Sequence, residues 1–179
     1  MRLHPTNVIG VTLIEFEPFR DARGTFTRIF DSDVFRSGGL DPCVAQSSIS
    51  INDRADTLRG MHFQAQPHEE GKLVCCTSGR IFDVALDLRP SSESFCHWFG
   101  RELSAEDPHA VFIPAGCAHG FQTLEPHSTV HYQMTSPYVP EASRGVRWDD
   151  SAFEIVWPDP LSGSRTISER DFSYPDFRP

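Results

Sequence analysis

Hydrophobic and polar residues alternate with a period of two along most of the chain, and stretches with a helical period are nearly absent. Residues 8–16 read as a strand interrupted at Gly10, and Gly24-Thr25-Phe26-Thr27-Arg28-Ile29-Phe30 alternates cleanly. Further strands are predicted over 43–51, 58–64, 72–77, 80–89, 98–103, 110–113, 120–124 and 128–135. Turn residues separate them: Asn52-Asp53, Gln66-Pro67, Ser78-Gly79, Pro90-Ser91-Ser92 and Pro114-Ala115-Gly116. Only 32–37 and 140–144 read as short helical turns. Many short strands at such spacing predict an all-β sandwich or barrel. The polar, proline-containing tail 157–179 is expected to wrap it. With no repeat, linker or low-complexity tract, a single domain over 1–179 is expected.

Composition narrows the class. At 39% hydrophobic and 11% aromatic residues the chain can build a core without disulfide staples. Its five cysteines are odd in number, and Cys75 and Cys76 are neighbours whose side chains point to opposite faces of a strand. Reduced, buried thiols and a cytoplasmic location are expected. No apolar run is long enough for a membrane span, and none near the N-terminus resembles a signal peptide. A net charge of −9 without a basic stripe argues against nucleic acid as a partner. It leaves room for a small anionic ligand, because local arginines and lysines decide that affinity.

Candidate chemistry starts with 81–89. Phe82, Val84, Leu86 and Leu88 share one face, while Asp83, Asp87 and Arg89 share the other with Ile81 and Ala85. Two readings stand: a solvated outer face, or a polar barrel interior in which a buried carboxylate needs a partner. Leu58-Arg59-Gly60-Met61-His62-Phe63-Gln64 sets His62 and Gln64 on one face, Lys72 opens the next strand, and His119 follows the turn at Gly116. Small barrels that hold a metal use two histidines one residue apart, then a glutamate, then a distant histidine. Here Gln64 replaces the second histidine, so at most His62, Glu69 and His119 remain as ligands. Without a metal, an imidazole with a nearby ammonium suits removal of a proton beside a ketone, and the phenol of Tyr132 can return one to the opposite face.

Taken in order, these motifs resemble the dTDP-4-dehydrorhamnose 3,5-epimerase family, cupin-fold enzymes of deoxysugar synthesis. The resemblance spans Asp21-Ala22-Arg23-Gly24-Thr25-Phe26, Gln46 to Ser50, the His62 motif, Gly71-Lys72-Leu73-Val74 and the 79–92 run. It continues through Ile113 to Phe121, Tyr132 to Tyr138, Gly145 to Asp150, Trp157-Pro158 and Ile167-Ser168-Glu169-Arg170-Asp171. It implies a double-stranded β-helix, or jelly-roll barrel, that epimerises C3, C5 or both in a nucleoside-diphosphate 4-keto-6-deoxyhexose, with neither metal nor cofactor. His62 is then the base, Asp171 its dyad partner, Lys72 the group that polarises the C4 carbonyl, and Tyr132 the acid. Arg23, Arg59 and Arg170 would hold the diphosphate and sugar, with His119 beside the sugar. Tyr138 would stack on the base, and Phe26 and Gln46 would line the pocket. The resemblance further implies a homodimer that exchanges N-terminal strands, with Arg23 serving the neighbouring site.

Three positions depart from the family pattern: Arg28 and Ser143 stand where glutamates are usual, and Ser48 where asparagine is. All three belong to the expected nucleotide end of the pocket. Replacing an acceptor-only carboxylate by a donor-only guanidinium inverts what a pocket can bond. Either water fills in, or the nucleobase or sugar differs. Two competing functions are a metal-dependent cupin oxygenase or isomerase built on His62, Glu69 and His119, and a non-catalytic sugar-nucleotide-binding cupin.

Overall fold

A computed structural model describes residues 1–178. In chain order its strands are β1 (Arg2–Pro5), β2 (Thr12–Glu15), β3 (Phe19–Asp21), β4 (Gly24–Phe26), β5 (Gln46–Asn52), β6 (Thr57–Gln64) and β7 (Lys72–Ser78). They continue with β8 (Arg80–Asp87), β9 (Trp98–Ser104), β10 (His109–Ile113), β11 (Cys117–Thr123), β12 (Ser128–Met134), β13 (Ser143–Gly145) and β14 (Thr166–Ile167). Helices are confined to α1 (Ser32–Ser37), α2 (Glu169–Phe172) and a 3-10 turn, Pro140–Ala142, among the described residues.

One sheet runs β1-β2-β10-β7-β12-β5 and the other β13-β6-β11-β8-β9, with β14 added in parallel to β6. The two sheets pack face to face. Val74, Val111, Ile113 and Val130 of the first meet Ile81, Ala85, Leu103 and Phe121 of the second in one buried cluster. Full burial of each such side chain stabilises the fold by roughly 1.5–3 kcal/mol. The outer face of the second sheet is covered by Phe153, Trp157 and Phe177, so the tail wraps the barrel as its composition suggests. Phe35 of α1 covers the outer face of the first, edge-on to Phe112 at 5.7 Å. Asp31 caps α1 by accepting the N–H groups of Asp33 and Val34.

The 81–89 ambiguity resolves toward the interior. Ile81, Asp83, Ala85 and Asp87 are all 1% exposed or less, and Val84 and Leu86 are buried under the tail. Cys75 and Cys76 fall into different clusters, on opposite faces of β7. All five cysteines are free.

Several boundaries differ from the sequence reading. The strand expected over 24–30 stops at Phe26, because Ile29 and Phe30 leave the ribbon to pack beside α1. The helical turn expected over 140–144 ends at Ala142, where Ser143 joins β13 and pairs with Gln64. β1, β3, β13, β14 and α2 had no clear period, being two to four residues long.

Asp87 anchors the loop after β8. Its carboxylate, fully buried, accepts from Arg89 Nε (2.8 Å) and Nη2 (2.7 Å) and from the hydroxyls of Ser92 (2.6 Å) and Ser94 (2.7 Å). Burial works to raise its pKa, but the hydrogen bonds from Arg89, Ser92 and Ser94 outweigh it and hold the carboxyl well below its usual value. A depressed folded-state pKa means this stabilisation is present above the unfolded value, about 3.9, and is lost as pH falls through the folded one. Asp87→Ala is expected to cost about 3–5 kcal/mol in urea unfolding at neutral pH, because it strands the half-buried Arg89. A loss under 1 kcal/mol, taken as the order of an exposed pair, would contradict this anchoring.

Candidate active site

The site begins with an irregularity in β6. His62 pairs with His119 across β11, yet Phe121, two residues on, pairs with Arg59, three residues back. The extra residue is a β-bulge at Gly60-Met61, and it turns both Arg59 and His62 toward the cavity while Leu58 and Met61 face the covered side. Gly60 is required here: its φ is +129°, and a Cβ would lie 2.5 Å from the Gly120 Cα. The bulge also aims the Gly60 N–H at Asp171 Oδ2, 3.2 Å away.

Asp171 lies on α2, in the tail, and its side chain is 5% exposed. Its Oδ1 accepts from His62 Nε2 at 2.7 Å. Burial pushes the carboxyl pKa up, but the hydrogen bond and charge of His62, the Gly60 amide and Ser168 hold it below its usual value. The ionised carboxylate fixes the imidazole tautomer and leaves the other ring nitrogen with its lone pair available. Tyr174 packs edge-on to His62, ring centroids 6.4 Å apart, over the space left by Gly145.

Facing this dyad, the first sheet presents Lys72 from β7 and Tyr132 from β12. Lys72 Nζ is 2.9 Å from Glu70 Oε1, and both side chains are largely buried. Tyr132 is raised in pKa by burial first and by the Asp83 charge second, against smaller opposing effects of Ser50 and Arg59. It therefore stays a phenol. His119 lies beneath, its Nε2 2.7 Å from Asp83 Oδ1 and its ring edge-on to Tyr132 at 5.9 Å. Asp83 is thus the buried carboxylate that needed a partner, and Asp83 Oδ2 has no hydrogen-bond partner.

These groups line a cavity of about 770 Å³ between the sheets, within the roughly 300–1,000 Å³ typical of small-molecule sites. Of the residues expected from sequence, His62, Tyr132, Lys72, Gln46, Ser48, Arg59, His119, Tyr138, Ser143 and Arg170 all line it. Asp171 stands directly behind His62. Arg59, Lys72 and Arg170 make the cavity locally cationic in a chain of net charge −9. Arg170 Nη2 donates to Ser143 Oγ at 2.9 Å.

Within one chain Arg23, Phe26 and Arg28 lie outside the set of residues that lines this cavity. Arg23 and Phe26 belong to the exposed β3–β4 ribbon, Arg23 paired with Asp21. Arg28 pairs with Asp31 at 3.1 Å. Of the three departures from the family pattern, only Ser48 and Ser143 therefore face the cavity. The metal alternative also loses its geometry. No group of three or more His, Cys, Asp or Glu is placed to hold an ion among the described residues, and Glu69 lies outside the cavity.

Sequence reading missed Glu70, in the turn just before β7, and the bonding of Gln64. It also missed Tyr174, which no period or motif marks.

The family model described as dTDP-4-dehydrorhamnose 3,5-epimerase matches residues 5–179. The chain is similar to the enzyme of that name from Sinorhizobium fredii, 39% identical over 98% of this chain and 89% of the relative. A solved dTDP-4-dehydrorhamnose 3,5-epimerase from Bacillus anthracis, with TDP and PPi bound, is 35% identical. It superposes with a TM-score of 0.93 over 98% of this chain and 99% of that one. A 3'-monoepimerase from Streptomyces bikiniensis in complex with dTDP-quinovose is 30% identical, with a TM-score of 0.89 over 97% and 86% of the two chains. With the family model and these relatives matching nearly the whole chain, the chain belongs to the dTDP-4-dehydrorhamnose 3,5-epimerase family.

Proposed function

We propose that this chain is an isomerase that inverts C3 and C5 of a dTDP-4-keto-6-deoxyhexose. The observation that carries the mechanism is the placement of His62 and Tyr132 on facing sheets of one cavity. Inversion needs a base on one face of the sugar and an acid on the other, and two opposed sheets supply both without any chain movement.

His62, oriented by Asp171, takes the proton from the carbon beside the C4 ketone. The C–H electron pair moves into an enolate whose oxygen is stabilised by the Lys72 ammonium. Tyr132 then gives its phenolic proton to the same carbon from the opposite face, and exchange with solvent takes the proton from His62 and returns one to Tyr132. Arg59 and Arg170 hold the diphosphate, Tyr138 stacks on the nucleobase, and Gln46, Ser48, Ser143 and His119 complete the nucleotide and sugar contacts. Similarity to enzymes named for both carbons favours double inversion over the single inversion of the Streptomyces bikiniensis relative.

A homodimer fits the surface. β5 is an edge strand with Ile49 and Ile51 exposed at 64% and 68%, and the β3–β4 ribbon exposes Phe19 and Phe26 at 63% and 68%. A partner covering these would also bring an Arg23 to each site. The five free cysteines suit the cytoplasm.

The experiment is incubation with dTDP-4-keto-6-deoxyglucose in D2O. Deuterium is expected at both C3 and C5, and light scattering of the same sample should give two chains per particle. Absence of exchange at both carbons refutes the reaction; label at one carbon alone reduces it to monoepimerisation. A fully active monomer refutes the assembly.

A further inference from the structure

Gln64 ends β6 with both halves of its amide engaged, although it has no part in the proton transfer. It is 2% exposed. Its Oε1 accepts the N–H of Val139 at 2.6 Å. Its Nε2 lies within reach of three acceptors: His68 O at 2.9 Å, Pro137 O at 3.1 Å and Glu70 Oε2 at 3.1 Å. The other Glu70 oxygen holds Lys72 Nζ at 2.9 Å. Pro137 and Val139 flank Tyr138, whose own N–H donates to Gln46 Oε1 at 2.8 Å. One planar amide is therefore bonded on one side to the segment that presents the Tyr138 ring. On the other side it is bonded to the carboxylate that aims the Lys72 ammonium.

We propose that Gln64 and Glu70 are positioning residues that couple nucleotide seating at Tyr138 to the pose of Lys72 at the sugar. The coupling rests on the roles given above to Tyr138 and Lys72. Only a primary amide meets the demand at position 64, which has a backbone donor on one side and carbonyl and carboxylate acceptors on the other. A carboxylate there would face Glu70 and two carbonyl oxygens. A neutral histidine, with one donor nitrogen and one acceptor nitrogen, could bond Val139 and only one of the three acceptors. Glu70 supplies the opposite charge that holds a long, flexible lysine stem in one conformation. Ordering of the 137–139 segment by a bound nucleotide passes through Gln64 to Glu70, and by reciprocity a fixed Lys72 favours the seated nucleotide.

The test measures kcat and KM for epimerisation, TDP binding by titration calorimetry, and melting temperature on the full chain. Glu70→Gln keeps shape and removes charge; Glu70→Asp keeps charge and shortens the reach. Glu70→Gln is expected to lower kcat by about 10–100-fold with KM within about 3-fold, as expected for misplacement of a reacting group. Glu70→Asp should retain more kcat than Glu70→Gln, the reverse of what a merely space-filling role gives. Gln64→Ala should weaken TDP binding and lower kcat together, and its kcat loss should combine with that of Glu70→Gln less than multiplicatively.

The coupling is overturned if Glu70→Gln has wild-type kcat, if Glu70→Gln is at least as active as Glu70→Asp, or if Gln64→Ala alters binding or kcat alone. Lys72→Met separates the levels. A fully active Lys72→Met protein removes the role of Lys72 and this proposal with it. An inactive one beside a wild-type-like Glu70→Gln removes the coupling only.

Discussion

His62→Ala is expected to abolish deuterium exchange at C3 and C5, a loss of at least about 10⁴-fold, the upper end of what one acid–base group contributes. TDP binding should stay close to wild type, and stability should fall by no more than about 1–3 kcal/mol for the acceptor bond lost at Asp171. Removal of the half-exposed imidazole leaves the Asp171 carboxylate with its bonds from Gly60 and opens no core cavity. The other histidine cannot take over. His119 is 5% exposed and its Nε2 is bonded to Asp83, and it sits on the strand beside His62, so it supplies no second base on a free wall of the cavity. A variant that exchanges within tenfold of wild type would remove His62 from the role of base.

Tyr132→Phe tests the opposite wall and separates two events that His62→Ala stops together. The base still removes the proton, so deuterium should continue to enter the sugar. With no acid across the cavity, the imidazolium returns the label to the face it came from. Exchange without inversion is expected, with inversion reduced by about 10²–10⁴-fold and exchange by much less. Product stereochemistry and label content, read on the same sample by NMR, decide this. Equal loss of exchange and inversion would mean that Tyr132 does not deliver the second proton. The pH profile follows from the same burial. Because burial raises the Tyr132 pKa above its ordinary value of 10.0, ionisation of the acid should cause no fall in kcat below that pH. Stability lost through Phe substitution should be small, about 1 kcal/mol for one hydroxyl hydrogen bond.

Alternation and turn chemistry were sufficient for the barrel, because its long strands have one face in a core and the other under the tail or in the cavity. They failed at short pairings such as β13 and β14, where position is set by a partner strand and leaves no period behind. At the site, ten of the expected side chains converge because their motifs carry them. Arg59 and His62 are the instructive pair. Strict alternation puts residues three apart on opposite faces, and the bulge at Gly60 brings them to one. A glycine in the middle of a strand was the available signal. The His62–Asp171 bond crosses 109 residues and the His119–Asp83 bond depends on β8–β11 register. Neither is derivable from local pattern. Glu70 sits in the turn before β7, outside any alternating run, and only its burial against Lys72 gives it weight.

The residue that orients the base is carried by α2, near the end of the chain, far in sequence from the strand that carries the base itself. During synthesis the strands that form the cavity walls emerge well before Asp171. Arg170, which lines the same cavity, arrives on the same helix, so the walls form before either the base is oriented or the cavity has its last cation. Competence arrives only when the tail docks along β6 and Asp171 meets the Gly60 amide. Binding and turnover thus share a completion point on the same polypeptide, set by the docking of α2.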